Sequence, residues 1–87
     1  MITARFSINL KCPSDELSLD KELSLAFVPV AGMFYNHHGY GGPVRISEVT
    51  IAEDGSRVGV DLEVITLQDQ AKFDEVLDDF RERGWKD

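Results

Sequence analysis

The sequence predicts an α+β fold in which one C-terminal helix packs on an antiparallel sheet of four to five strands. Apolar and polar residues alternate over residues 2–12 and again over residues 57–64, with the period of two that marks a half-buried strand. Asp54 and Gly55 lie between two apolar runs, as in a hairpin turn. Near the C-terminus the apolar spacing changes to that of a helix, at Phe73, Val76, Leu77 and Phe80.

The first third of the chain is predicted as a strand, a connector and a second strand. Residues 2–12 form the first strand, and Cys12 ends its apolar face. We interpret Cys12 as a small core residue, because free cysteine is among the most buried residue types. Pro13 ends the strand. Residues 14–22 form a polar connector whose structure the sequence leaves open, and strand character returns over residues 23–28.

The middle of the chain is predicted as a short extended run, a long loop and a hairpin. Residues 32–35 are extended and lead into the loop of residues 36–43. Over residues 44–52 the apolar positions change parity near Ser47 and Glu48, which predicts a β-bulge. The turn that follows is predicted as type I′. The returning strand has four residues predicted to face inward, Val58, Val60, Leu62 and Val64.

The C-terminal helix carries signals at both ends. Thr66 and Asp69 form an imperfect capping box at its start. Gly84 has the position of a C′ residue in the left-handed conformation, and Trp85 just beyond it can pack back onto Phe80. We therefore expect the helix to cover one face of the sheet.

The composition predicts one domain, residues 1–87, with an acidic surface. The chain carries 16 acidic and 9 basic residues, a formal net charge of −7. Nucleic-acid backbones and anionic membranes would be repelled by this charge, whereas a basic protein partner would not. A homodimer through an exposed strand edge, such as that of the N-terminal strand, is compatible with the small core.

The cellular location is predicted from the cysteine content and the hydropathy pattern. Cys12 is the only cysteine, which excludes an intrachain disulfide and fits a reducing compartment such as the bacterial cytoplasm. We find no signal segment and no apolar run near the roughly 18 residues of a membrane span. We therefore expect a cytoplasmic protein.

The loop of residues 36–43 is the first candidate for a functional surface, because it is long and rich in glycine, histidine and aromatic residues. We predict that Tyr35, His37, His38 and Tyr40 contact a ligand or a protein partner. The alternative for the two histidines is an exposed loop position without a functional contact. The alternative for the two tyrosines is packing at the sheet edge and over the core. We predict no metal site, since adjacent histidines in an extended segment point to opposite sides. The glycines lack the spacing of a phosphate loop, and we assign them to a turn.

An acidic helix face is the second candidate. Asp74, Glu75, Asp78 and Asp79 lie opposite the apolar stripe, and Asp79 is placed for an i, i+4 pair with Arg83. This face is either a solvated polar surface or a contact for a basic partner, as in an immunity protein that binds a nuclease. We find no nucleophile motif, and we predict no cofactor.

Two stretches of the chain carry a resemblance to known proteins. Residues 27–33 and 44–64 resemble the start and central hairpin of small SH3-like barrels, and also the uncharacterised small bacterial proteins encoded by mobile gene cassettes. The N-terminal strand and the C-terminal helix depart from a bare barrel. The resemblance implies a partly open SH3-like barrel as an alternative form of the sheet, and it implies no activity and no functional residues.

These observations favour a small acidic protein-interaction domain that binds through the loop, the acidic helix face or both. The alternative is a small-molecule-binding protein or minor enzyme that uses residues 35–43. The sequence carries no catalytic constellation that would favour this alternative.

Overall fold

The computed structural model describes residues 2–36 and 42–87 of the chain. Within these ranges, six strands curl into a half-barrel sheet on which one helix packs, so the predicted α+β class is confirmed. The elements in chain order are β1 (Ile2–Cys12), β2 (Asp15–Leu25), β3 (Phe34–Tyr35), β4 (Val44–Ile51), β5 (Val58–Leu62), β6 (Ile65–Thr66) and α1 (Gln70–Glu82).

The sheet is mixed, which corrects the prediction of a purely antiparallel sheet. Its strand order is β2-β1-β5-β4-β3, and β6 pairs with the far end of β1. β1 is antiparallel to β2 but parallel to both β5 and β6. The reason is that the chain leaves β2 for the opposite edge of the sheet, so the β4–β5 hairpin returns with β5 beside β1. β1 is therefore a central strand and offers no free edge for a dimer contact, and the possible homodimer stays a prediction.

The predicted polar connector of residues 14–22 is instead most of β2. Pro13 and Ser14 form a two-residue turn, and Cys12 pairs with Asp15 across it. The apolar alternation of β2 is interrupted by Lys21, whose half-buried stem lies where an apolar residue is expected. Its Nζ donates a hydrogen bond to the Arg83 carbonyl oxygen at 2.6 Å, at the end of the helix where backbone carbonyls attract a cation.

The β4–β5 hairpin confirms the predicted bulge and changes the predicted turn. The pairing register shifts between Ile46 and Glu48, as the change of parity predicts. The Gly55 amide donates to the Ala52 carbonyl at 2.8 Å, and the loop closes by a hydrogen bond from the Ala52 amide to the carbonyl of Arg57. Four residues therefore form the loop, and the prediction of a two-residue type I′ turn is wrong.

The far end of this hairpin also differs from the prediction. Val58, Val60 and Leu62 are buried as predicted, but Val64 is 49% exposed. Regular pairing of β5 ends at Leu62, so the alternation no longer places Val64 against the core.

The helix α1 ends at its C-terminus as predicted, but its N-terminal cap differs from the prediction. Asp69 is the N-cap, and its carboxylate accepts a hydrogen bond from the Lys72 amide at 2.9 Å. Thr66 belongs to β6, so the capping box that begins at Thr66 is wrong. Gly84 has φ +93°, and the Trp85 amide donates to the Phe80 carbonyl at 3.1 Å, which gives the predicted Schellman ending.

The core lies between the sheet and α1. Trp85 is 1% exposed, and its ring meets the ring of Phe80 edge to face at 5.6 Å between centroids. Cys12 is buried as predicted. The largest fully buried side chains are Trp85, Phe73, Phe80, Ile8, Leu10, Leu19, Val60 and Val76.

Candidate functional site

Exposed apolar side chains are concentrated in one short part of the chain. Among the described residues, seven large hydrophobic side chains are exposed, and five of them fall within residues 27–34. We call residues 27–34 the apolar segment. Its exposed members are Phe27 (59%), Val28 (38%), Val30 (62%), Met33 (41%) and Phe34 (66%). Scattered single exposed hydrophobic residues are normal on a monomer, but such a concentration is typical of a contact surface.

Backbone hydrogen bonds hold the apolar segment against the sheet. The Met33 amide donates to the Val30 carbonyl at 3.1 Å, and Gly32 has φ +96°, as the third position of a type II turn requires. The Gly32 amide donates to the Ile46 carbonyl at 2.8 Å, and the Ile46 amide donates to the Met33 carbonyl at 2.7 Å. The side chains of Val30, Met33 and Phe34 therefore stand on a fixed backbone, which reduces the entropy lost on binding.

β3 forms one end of the sheet and separates two aromatic residues. Phe34 pairs with Arg45, and Tyr35 pairs with Val44. Side chains alternate along a strand, so Phe34 and Tyr35 point to opposite faces. Tyr35 faces the core and Phe34 faces solvent.

Tyr35 is half-buried, and its ring lies 4.7 Å from the ring of Phe6 and 6.3 Å from that of Trp85. Burial raises the pKa of its hydroxyl above the ordinary value. Of the two interpretations of Tyr35, this position supports packing at the sheet edge. A ligand that stacks on this ring would have to displace core contacts.

The other residues predicted on the loop, His37, His38 and Tyr40, lie outside the described residues. The pairing of Tyr35 with Val44 shows that the loop of residues 36–43 joins neighbouring strands at the sheet edge. In the sequence only Tyr35 separates the apolar segment from this loop.

Charged residues, like exposed apolar side chains, are distributed unevenly along the chain. Residues 23–44 contain no Asp, Glu, Lys or Arg, so all 16 acidic and 9 basic residues lie on either side of this stretch. We call residues 23–44 the charge-free stretch. It contains the whole apolar segment and the predicted loop. The centre of a protein interface is typically depleted in charged residues in the same way.

The acidic helix residues are placed as predicted on the polar face of α1. Asp74, Glu75 and Asp78 are exposed, and Asp79 is half-exposed. Asp79 accepts from Arg83 Nε at 3.3 Å, which confirms the predicted pair. Three of the four carboxylates thus have a partner on α1 or at its C-cap, since Asp74 accepts from Gln70 at 2.9 Å and Glu75 pairs with Lys72 at 3.4 Å. Residues of α1 alone line the shallow depression on this face, so Tyr35 and the acidic helix residues do not share it.

A polar groove, which is not among the predicted sites, lies on the face of the sheet that carries Ser7 and Asp20. Ser7 donates to the Asp20 carboxylate at 2.7 Å, and the Arg5 guanidinium pairs with it at 2.7 Å. The Ser7 hydrogen bond is the largest cause that holds the pKa of Asp20 below its ordinary value. The alternating polar residues of β1 and β2 are the signal for this face. Within residues 2–36 and 42–87, no group of His, Cys, Asp and Glu is placed to hold a metal ion.

Comparison with models of known families, with curated proteins and with solved structures found no match for this chain. The resemblance to gene-cassette proteins stays a prediction. In the part of the chain that the structure describes, no helix is long and apolar enough to cross a membrane.

The apolar segment itself was not predicted as a site. Phe27 falls within the strand predicted over residues 23–28, but β2 ends at Leu25 and Phe27 lies beyond it in a bend. The available signal was the charge-free stretch, interrupted by Pro29 and Gly32, which favour turns over regular strand.

Proposed function

We propose that the protein is a small cytoplasmic interaction domain whose main contact surface is the apolar segment. The observation that carries the proposal is the group of five exposed large apolar side chains within eight residues. Burying an exposed phenylalanine or valine contributes about 1.5–3 kcal/mol. Phe27, Val30 and Phe34 therefore offer the largest gain to a partner that covers them.

The charge distribution supports the same surface. The apolar segment carries no formal charge, because it lies within the charge-free stretch. A partner can therefore cover it without the free-energy cost of taking an ion out of water. The predicted contact residues His37, His38 and Tyr40 continue this stretch in sequence, and we propose them as its neighbouring contacts. The acidic face of α1, with Asp74 and Asp78 exposed, is proposed as a secondary surface for a basic partner.

A co-purification experiment with two matched variants tests the proposal. Phe34→Glu places a charge in the apolar segment, and Ile51→Glu places the same charge at another exposed apolar residue, 57% exposed. Ile51 lies six residues along β4 from Arg45, the partner of Phe34, which is about 20 Å in a strand. We expect bound protein to be retained by the wild type and by Ile51→Glu at low and high salt, and to be lost from Phe34→Glu.

Other outcomes would redirect or remove the proposal. Binding that Phe34→Glu leaves intact and that high salt abolishes would assign the contact to the acidic helix face. The absence of any stoichiometric partner, including a second copy of the chain, at either salt concentration would contradict an interaction domain.

A further inference from the structure

We infer that the apolar segment is covered by a second copy of this chain, so that the protein is a homodimer with residues 27–34 at its two-fold axis. This inference rests on the proposed function, because it names the occupant of the same surface. Three observations carry it: the charge distribution, the exposed area and the fixed backbone of the segment.

If two copies of the chain associate, the charge distribution favours this surface over the other surfaces of the protein as their contact. Two copies each carry a formal net charge of −7 and repel one another. In a two-fold dimer the same patch meets itself, so any charge in the patch is brought close to its own like charge. The charge-free stretch is the longest part of the chain that avoids this repulsion.

A foreign partner is the weaker match for this surface. Specific recognition between different proteins commonly uses complementary charges to select the partner and to speed association. The apolar segment has no formal charge with which to select one. A basic partner would be drawn to the acidic residues outside residues 23–44.

The exposed area is close to the minimum that a specific dimer interface needs. A fully exposed phenylalanine offers about 150–250 Å². Phe27 and Phe34, at 59% and 66% exposure, therefore present on the order of 250 Å² per copy. Complete burial of these two side chains, of Val28, Val30 and Met33 and of the flanking backbone in both copies approaches the roughly 1,000 Å² that a specific interface needs.

The fixed backbone reduces the cost of dimer formation. The turn at Val30 to Met33 and the hydrogen bonds to Ile46 already hold the second half of the segment at the edge of the sheet. An 87-residue chain buries only about 60–65% of its unfolded surface, so an apolar interface adds substantially to a small core.

The salt dependence of such a dimer has a defined sign. Salt screens the repulsion between two acidic copies and leaves apolar contact largely intact. The dissociation constant of the dimer therefore falls as salt rises. Binding of a basic partner to the acidic helix face would have the opposite dependence.

Sedimentation equilibrium of the wild type, Phe34→Glu and Ile51→Glu, over a wide concentration range at low and high salt, tests the inference. We expect a concentration-dependent dimer for the wild type, tighter at high salt. A two-fold contact contains Phe34 twice, so Phe34→Glu should raise the dissociation constant on the order of 100-fold or more. Ile51→Glu should leave it within about threefold, since one added charge acts only through the screened net charge.

Three results would overturn the homodimer: a wild type that is monomeric throughout, a dimer that Phe34→Glu leaves unchanged, or a dimer that Ile51→Glu weakens equally. Circular dichroism and thermal unfolding establish that Phe34→Glu is folded before its mass is interpreted. A monomeric wild type that still retains another protein, in a manner sensitive to Phe34→Glu, would overturn the second copy and leave the interaction domain standing. A monomer that retains nothing would overturn both.

Discussion

The two edges of the sheet differ in charge, length and cover. β2 forms one edge over eleven residues and carries five charged side chains, Asp15, Glu16, Asp20, Lys21 and Glu22. β3 forms the other edge over two residues, next to the exposed apolar segment and without a charge. We call them the charged edge and the apolar edge. Strand edges of soluble proteins are normally protected by charge, by bulges or by covering segments.

The charged edge is also covered in its middle by the end of the chain. The Asp20 amide donates to the Lys86 carbonyl at 2.7 Å, and the Lys86 amide donates to the Asp20 carbonyl at 2.9 Å. Trp85 anchors this segment in the core, and Gly84 turns the chain toward β2. One edge is thus protected by charge and by cover, whereas within the described residues the apolar edge has neither and is limited only by the two-residue length of β3. The contrast is expected if the apolar edge is a contact surface.

Removing the anchor of the charged edge should give the largest effect. Trp85→Ala removes the ring contacts with Phe80 and Tyr35 and leaves a cavity in the core. We therefore expect the free energy of unfolding to fall by about 3–5 kcal/mol. Urea denaturation measures it. The matched change at the apolar edge, Phe34→Ala, should cost within about 0.5 kcal/mol in a monomer, because the side chain is exposed. Equal losses in the two variants would show that the two edges do not differ in this way.

Breaking the cover itself should have an intermediate effect. Lys86→Pro removes the amide that donates to Asp20, and we expect a loss of about 0.5–1.5 kcal/mol. Lys86→Ala keeps the amide and should be nearly neutral. The Asp20 amide itself donates to the carbonyl of residue 86, and its hydrogen exchange should become faster in the proline variant only, because loss of the reciprocal bond loosens the bridge. Similar exchange in both variants would mean that the Lys86 bridge does not protect this edge.

The sequence predicts the parts of the fold whose signals are local. β1, the bulge in β4, the helix and its ending at Gly84 follow from periodicity and from residues that few other conformations accept. β2 was missed because Lys21 occupies an inward position, and only the fold reveals that Arg83 accepts its ammonium group. The parallel neighbours of β1 depend on contacts distant in sequence, which no local pattern encodes.

The candidate site could be predicted only in part for the same reason. The tyrosine and acidic residues were identified by type, but the exposure of Phe27 and Phe34 depends on where β2 ends and on which strand becomes the edge. The charge-free stretch is visible in the sequence, and it becomes informative once its apolar residues are known to be exposed.

The smallest effect is expected at Asp20 on the charged edge. The hydrogen bond from Ser7, with a further contribution from Arg5, keeps the pKa of Asp20 below its ordinary value. A carboxyl whose pKa is lower in the folded state contributes stability above its unfolded pKa, about 3.9, and loses it as the pH falls through the folded pKa. Ser7→Ala should raise the pKa of Asp20, measurable by NMR titration. The cost above about pH 4 should be under about 1 kcal/mol, since the carboxylate is partly exposed.

Ser18→Ala is the control for the titration, because Ser18 donates to Asn9 and not to Asp20. Ser18→Ala should leave the pKa of Asp20 at its wild-type value. A titration of Asp20 that is the same in Ser7→Ala and the wild type would show that Ser7 does not stabilise the carboxylate.

Hydrogen exchange measured at low and high protein concentration tests the central claim most directly, because it compares both edges in one experiment. If two copies meet at the apolar edge, amides of residues 27–35 should exchange more slowly at high concentration, and those of β2 should be unchanged. Exchange in residues 27–35 that is independent of concentration, or protection that arises at β2 instead, would contradict a dimer through the apolar segment.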